Sequence, residues 1–169
     1  MTVTVVVGNP KPASRTLTAV TLAAAGLRPD VDPEVIDRVF FGAGLLSWGD
    51  SEVAAAVRAV ANSSLVVFAS PTFKATCTGL LKLFLEQFEG GTGLADVVVV
   101  PLMLGAGPAH PLAPDLLLEP VLVELGAAAA LLGLYLSDST FQEDGAIERY
   151  TERWRPVAAA LASKAANHA

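Results

Sequence analysis

Three consecutive polar residues, Ser14, Arg15 and Thr16, have side chains that suit the binding of a phosphate group. They stand where a loop rich in Gly and Pro opens into an alanine-rich helical stretch, and the unpaired N–H groups of a helix start attract anions. Two hydroxyls and a guanidinium add charge-assisted hydrogen bonds. The segment therefore predicts a site for a terminal phosphate monoester, although a Ser before Arg-Thr is also an ordinary helix cap.

Two further loops follow predicted strands and carry residues that could line a flat ligand. The first is the segment 70–74, in which Pro71 fixes its own φ, and the second is 105–110, whose glycines let backbone approach a ring closely. In an open parallel sheet of order 2-1-3-4-5, ligands bind at the carboxyl edge, where the loops after strands one, three and four are neighbours. The three loops together predict a site for one flat ligand with a phosphate tail.

The elements that must position these loops are indicated by strand-like and helical runs that alternate along the chain. This alternation is typical of an α/β protein with a parallel sheet covered by helices on both faces, here as one domain over residues 1–169. The predicted strands are 2–8, 33–39, 65–69, 96–103 and 129–136. The predicted helices are 14–25, 51–61, 74–88, 115–126 and 147–164.

Composition excludes several classes of function. The net charge of −6 argues against a nucleic-acid or anionic-membrane partner, because both need a basic face. One cysteine excludes an internal disulfide, and the two histidines form no cluster with it at metal-ligand spacing, so no metal is expected. No apolar run approaches the roughly 20 residues that span a bilayer, and the N-terminus lacks the pattern of a signal peptide. We expect a cytoplasmic protein.

The segment 40–48 is apolar and aromatic but interrupted by glycines, which predicts a loop that something must cover. Trp48, Phe40 and Phe41 could stack on a ligand ring. A contact with another subunit explains so apolar a loop better, since an uncovered one would be an exposed hydrophobic patch.

The three loops resemble those of the NAD(P)H-dependent FMN reductase family, most of all its members that supply reduced flavin to two-component monooxygenases. The resemblance is carried by the loop 8–16, by the segment 70–82, and by the loop 105–110 with Pro120-Val121-Leu122 beyond it. It spans nearly the whole chain. It implies a flavodoxin-like three-layer fold with a five-stranded parallel sheet of order 2-1-3-4-5, and a homodimer or homotetramer.

The resemblance also implies FMN as the flavin and NADPH or NADH as the reductant. By this resemblance Ser14, Arg15 and Thr16 bind the FMN phosphate, while the loops 70–74 and 105–110 border the isoalloxazine. No catalytic acid or base is expected, because hydride transfer is chemistry of the cofactors. Lys74, or the N–H groups starting its predicted helix, is expected near the flavin N1–C2=O edge, where charge grows on reduction. The full set of expected binding residues is Asn9, Pro10, Ser14, Arg15, Thr16, Pro71, Thr72, Phe73, Lys74, Gly105, Ala106, Gly107 and His110.

Some alternatives stay open. Leu116 stands where the two-component members carry an aromatic residue or histidine, so release of reduced FMN to a partner monooxygenase competes with retention of FMN by a quinone, azo or metal-oxyanion reductase. A flavodoxin-type electron carrier would share the fold. His110 either contacts the cofactors or hydrogen-bonds locally. Cys77 suits a small buried group at a helix start better than a reactive thiol.

Overall fold

The computed structural model describes residues 2–165, apart from the side chains of residues 38–40 and 164–165. Met1 and residues 166–169 lie outside the described part, as does the side chain of Phe40. Within residues 2–165 none of the helices combines the length and the apolar character needed to cross a membrane.

A parallel sheet forms the middle of the molecule. Its central strands are long apolar runs whose residues are buried almost throughout, as expected of strands covered on both faces. Neighbouring strands follow the order β2-β1-β3-β4-β5, with β6 also paired to β4, and every pair is parallel. The order predicted from the sequence is confirmed. The strands are β1 (Val3–Val7), β2 (Glu34–Asp37), β3 (Leu65–Pro71), β4 (Val98–Gly105), β5 (Ala129–Ala130) and β6 (Leu134–Ser137).

Helices cover both faces of the sheet and enclose two hydrophobic cores. One core lies between the sheet, α1 and α5, and the other lies between the sheet, α2, α3 and α4. The alternating side chains of β1 divide between them, with Val5 in the first core and Val6 in the second. The helices are α1 (Arg15–Leu27), α2 (Ser51–Ala61), α3 (Gly79–Leu85), α4 (Glu119–Glu124) and α5 (Ala146–Ala165).

The fifth strand position is occupied by two short strands instead of the predicted strand 129–136. β5 pairs with β4 at Val98 and Val99, and β6 pairs with β4 from Leu102 to Gly105. The interruption at residues 131–133 is held by side chains: Asp115 Oδ1 accepts the Gly133 N–H at 2.6 Å, and the Tyr150 hydroxyl donates to Leu132 O at 2.5 Å. Burial, with a further contribution from Asp115, raises the pKa of Tyr150.

Three other predictions about elements are corrected. The predicted loop 40–48 is mostly a 3₁₀ helix, Arg38–Leu46, kinked at Gly42. The predicted helix 115–126 is a π-helical turn, Pro114–Leu118, followed by α4. The predicted helix 74–88 does not start at Lys74, because α3 begins at Gly79 with Thr78 as its N-cap.

Candidate functional site

A cleft of about 570 Å³ opens at the carboxyl edge of the sheet, beyond the ends of β1, β3 and β4. This is the place where open parallel sheets bind their ligands. Its size is within the range of small-molecule pockets. The cleft is lined by Asn9, Pro10, Lys11, Ala13, Ser14, Arg15, Thr16, Pro71, Thr72, Phe73, Leu104, Gly105, Ala106 and Asp138.

The loop between β1 and α1 is shaped by the side chain of Asn9. Its Nδ2 donates to Thr16 Oγ1 at 2.9 Å, and its Oδ1 accepts the Lys11 N–H at 2.9 Å. Ser14 is the N-cap of α1, because its Oγ accepts the Leu17 N–H at 3.2 Å. The loop is thereby folded so that the start of α1 borders the cleft.

The start of α1 has donors suited to an anion. The first N–H groups of a helix have no intrahelical acceptor, and those of Arg15 and Thr16 are in this position. The Arg15 side chain is 69% exposed and lies 3.6 Å, Nη1 to Oδ2, from Asp138. Hydroxyls, N–H groups and an exposed guanidinium at one helix end therefore suit a phosphate.

Sequence reasoning missed Asp138, although a signal for it exists. The residue follows β6 directly, so it lies at the same carboxyl edge as the three predicted loops. Its N–H donates to Gly105 O at 3.0 Å, which extends the ladder between β4 and β6 by one bond. A carboxylate is thus placed beside the predicted phosphate site.

The loop after β3 starts in the cleft and then reverses in a tight turn. The Thr72 N–H donates to Leu104 O at 2.6 Å, and Phe73 and Thr76 exchange backbone hydrogen bonds of 2.9 and 3.2 Å. Lys74 and Ala75 occupy the centre of the turn with φ of +52° and +70°. Because this turn precedes α3, no helix starts at Lys74, and its side chain is not among those that line the cleft.

Thr72 provides a polar atom that suits a ligand. Its Oγ1 is buried and has no hydrogen-bond partner among the described residues, and the residue lines the cleft. A buried hydroxyl without a partner is unusual in a folded protein, since leaving it unpaired costs free energy. Phe73, beside it, is 51% exposed and is the aromatic side chain of the cleft.

The loop after β4 is supported by Tyr135, which sequence reasoning did not identify. The Tyr135 hydroxyl donates to Gly107 O at 2.6 Å, and a Cβ at position 105 would overlap its phenol oxygen. A Cβ at position 105 is therefore disfavoured by Tyr135 even without a ligand, while a Cβ at Gly107 would meet nothing. Burial, and secondarily the charge of Asp138, raises the pKa of Tyr135.

Two loops of the cleft are joined by Thr78. Its hydroxyl donates to Gly8 O at 2.5 Å and accepts the Leu81 N–H at 3.2 Å, while its own N–H donates to Ser70 Oγ at 2.9 Å. A Cβ at position 8 would lie 2.5 Å from Leu81 Cβ, so the end of β1 is packed directly on α3. Thr78 thus fixes the end of β1 relative to the end of β3.

All but three of the predicted binding residues line the cleft; the three are Lys74, Gly107 and His110. His110 instead lines a separate apolar groove with Ala75, Leu112, Leu116 and Leu117 among its neighbours. Cys77 is half-buried and packs on the core beneath α3.

The sheet order and a ligand-sized cleft at its carboxyl edge define a protein of the flavodoxin-like class. Comparison with known families goes one step further, because residues 1–142 match the family described as NADPH-dependent FMN reductase. The chain belongs to this family.

Individual relatives agree with that assignment. The chain is 36% identical over 80 residues to an FMN reductase (NADPH) of Pseudomonas putida, covering 47% of this chain and 40% of that protein. It is 39% identical over 74 residues to an FMN reductase (NADPH) of Escherichia coli, covering 44% and 38% of the two chains. The matched segments thus span about two fifths of these curated relatives.

A solved structure extends the likeness to nearly the whole chain. The apo form of an NADH:FMN oxidoreductase superposes with a TM-score of 0.83 at 28% identity, covering 92% of this chain and 89% of that one.

Proposed function

We propose that this protein reduces FMN with a nicotinamide nucleotide, NADPH or NADH. The observation that carries the proposal is that the start of α1 opens into the same cleft as the loops after β3 and β4. A phosphate-suited helix end beside two loops that can border a ring matches the outline of FMN. The family, and the names of the relatives, point to the same reaction.

In this proposal the phosphate of FMN binds at Ser14, Arg15 and Thr16. The two hydroxyls keep their hydrogens available as donors, because each already accepts one bond, Ser14 from Leu17 and Thr16 from Asn9. The N–H groups at the helix start and the Arg15 guanidinium complete the anion site. Asn9 and Pro10 act by holding the loop in shape.

The isoalloxazine is proposed to lie between the loops after β3 and β4, bordered by Pro71, Thr72, Phe73, Gly105 and Ala106. The orphan Oγ1 of Thr72 is the atom that a polar edge of the ring would satisfy. When bound, FMN supplies the hydride acceptor and the nicotinamide supplies the hydride, so the protein contributes position and electrostatics. No residue is assigned as an acid or base.

FMN is proposed to be an exchangeable substrate that leaves, once reduced, for a partner monooxygenase in the cytoplasm. Phe73 is the single aromatic among the described residues that line the cleft. Stacking on one aromatic contributes about 0.5–1.5 kcal/mol, so a site with one aromatic neighbour instead of two loses roughly one power of ten in affinity. Leu116, 65% exposed in the neighbouring groove, does not seal the cleft.

The first test compares FMN with riboflavin, which lacks the phosphate. We expect FMN to bind better by about 2–4 kcal/mol, the combined value of a charge-assisted pair and several hydrogen bonds. Arg15→Ala should remove most of that difference, whereas Arg58→Ala, at an exposed position of α2 outside the cleft, should leave it unchanged. Equal binding of the two flavins by the unchanged protein, measured by fluorescence titration, would reject the phosphate site.

The second test follows NADPH and NADH oxidation with added FMN, and separately with a quinone. A purified protein that is colourless and saturates at micromolar FMN supports the substrate role. A yellow protein that keeps its flavin through gel filtration and reduces the quinone without added FMN would instead support the alternative of a resident cofactor.

A further inference from the structure

Asp138 lies in the cleft beside the proposed phosphate site and has a charge of the same sign as a phosphate. Its Oδ2 is 3.6 Å from Arg15 Nη1. We infer that Asp138 competes with the phosphate of FMN for Arg15 and thereby keeps the flavin exchangeable. The inference rests on the proposed function, since it assigns a residue that sets the affinity of the same site.

The position of Asp138 is fixed by the sheet. Ser137 is in register with Gly105 at the end of the β4–β6 pair, and the next backbone bond runs from the Asp138 N–H to Gly105 O at 3.0 Å. The backbone of the residue is therefore anchored at the edge of the sheet, which keeps its carboxylate within reach of the start of α1.

Arg15, in contrast, is free to change partner. Its side chain is 69% exposed, and its pair with Asp138 is a single contact of 3.6 Å, without the two short parallel bonds of the strongest Arg–carboxylate pairs. Exposed ion pairs of this kind are weak. A phosphate dianion can therefore replace Asp138 as the partner of the guanidinium. The loss of the Arg15–Asp138 pair then offsets part of the free energy gained by binding the phosphate.

The competition affects only ligands that carry a phosphate. A ligand without this group does not need Arg15, so the competition lowers the affinity for FMN and leaves the affinity for riboflavin unchanged. A site of this kind binds FMN tightly enough to prefer it to riboflavin and loosely enough to release it. Asp138 is thus a positioning residue that acts through Arg15.

The test measures the dissociation constants of FMN and riboflavin for Asp138→Asn, which keeps the shape and the backbone bond to Gly105. We expect FMN to bind about two- to fivefold more tightly and riboflavin to be unaffected, a change typical of a partly exposed ion pair. Glu143→Gln is the matched control, because Glu143 is an exposed carboxylate on the same loop that does not line the cleft. Its FMN affinity should equal that of the unchanged protein.

The double variant Arg15→Ala/Asp138→Asn shows whether the effect runs through Arg15. In the Arg15→Ala background, Asp138→Asn should change FMN affinity less than twofold, and a full effect there would overturn the inference. Two results would overturn the inference and leave the proposed function standing, provided that the unchanged protein prefers FMN to riboflavin. In the first, Asp138→Asn binds FMN no more tightly than the unchanged protein does. In the second, Asp138→Asn strengthens the binding of riboflavin as much as that of FMN. An unchanged protein without preference for FMN would overturn the proposed function and the inference with it.

Discussion

Thr78 shows how one buried hydroxyl can set the geometry of a binding cleft. It caps α3 and at the same time donates to the carbonyl of Gly8, which is 70 positions earlier in the sequence. The bond joins the end of β1, which leads into the loop before α1, to the start of α3, which follows the loop after β3. The relative position of the two loops therefore depends on a residue that does not line the cleft.

Thr78→Val should destabilise the protein by about 1–3 kcal/mol. The isosteric side chain leaves the Gly8 carbonyl and the Leu81 N–H without a partner in a buried place, and each unsatisfied group costs free energy. Urea unfolding measures the change in free energy of unfolding. Thr78→Ser keeps the hydroxyl and should recover most of the loss; a serine variant as unstable as the valine variant would show that packing of the methyl group is what matters.

At the scale of elements, the turn 73–76 is the most unusual connection in the described chain. Phe73 and Thr76 pair across it, and both central residues have positive φ, as in a type I′ turn. Such turns favour Asn and Gly, whereas here the centre is Lys74 and Ala75. Residues with a Cβ pay a penalty in this conformation.

Ala75→Gly should therefore stabilise the protein, by about 0.5–1 kcal/mol, because the relief of the left-handed conformation exceeds the added entropy of the unfolded glycine. Ala55→Gly, on the exposed side of α2, is the control of opposite sign and should cost up to about 1 kcal/mol. Thermal or urea unfolding measures the change in free energy of unfolding for both variants. Destabilisation by Ala75→Gly would mean that the turn is not strained.

The elements predicted correctly are those whose signal is local. β1, β3 and β4 are continuous apolar runs, and the rule that ligands bind at the carboxyl ends of parallel strands placed most of the predicted residues in one cleft. The start of α3 was misplaced because Lys74 and Ala75 favour helices, while the cap that sets the boundary, Thr78, is defined by a distant carbonyl.

The remaining errors have the same origin in contacts between distant residues. The fifth strand reads as one apolar run, and its interruption depends on Asp115 and Tyr150, which come from other elements. The support of Gly107 by Tyr135 likewise joins the loop after β4 to β6, 28 positions away in the sequence. Asp138 enters the site only because β6 ends beside β4.

At the scale of the whole molecule, two of the places with exposed large apolar side chains are the end of the 3₁₀ helix and the groove that contains His110. Leu46 and Trp48 are 70% and 77% exposed at the end of the 3₁₀ helix. Their neighbour Leu45 is buried in the second core. Leu112, Leu116 and Leu117 are exposed along the groove that contains His110. Surfaces of this kind commonly mark protein contacts, and on this ground we propose that the chain forms the homodimer or homotetramer that the resemblance implies.

We expect a mass of two or four chains by light scattering at micromolar concentration, and a lower mass for Trp48→Glu. The carboxylate would have to be buried at the contact without a partner, which is unfavourable. Dilution should shift the emission of Trp48 to longer wavelength as it becomes solvated, and Trp154→Phe isolates that signal from the second tryptophan. A mass of one chain for the unchanged protein would contradict the proposal.

The pair formed by Gly105 and Tyr135 has a consequence for how this sequence can diverge. The phenol that would overlap a Cβ at position 105 also donates a hydrogen bond to Gly107 O, so moving it aside to admit a Cβ breaks that bond. A larger residue at position 105 therefore costs less after position 135 has become smaller than before it. Among descendants of this chain we expect the tyrosine to change before the glycine, and the glycine to persist wherever the tyrosine does.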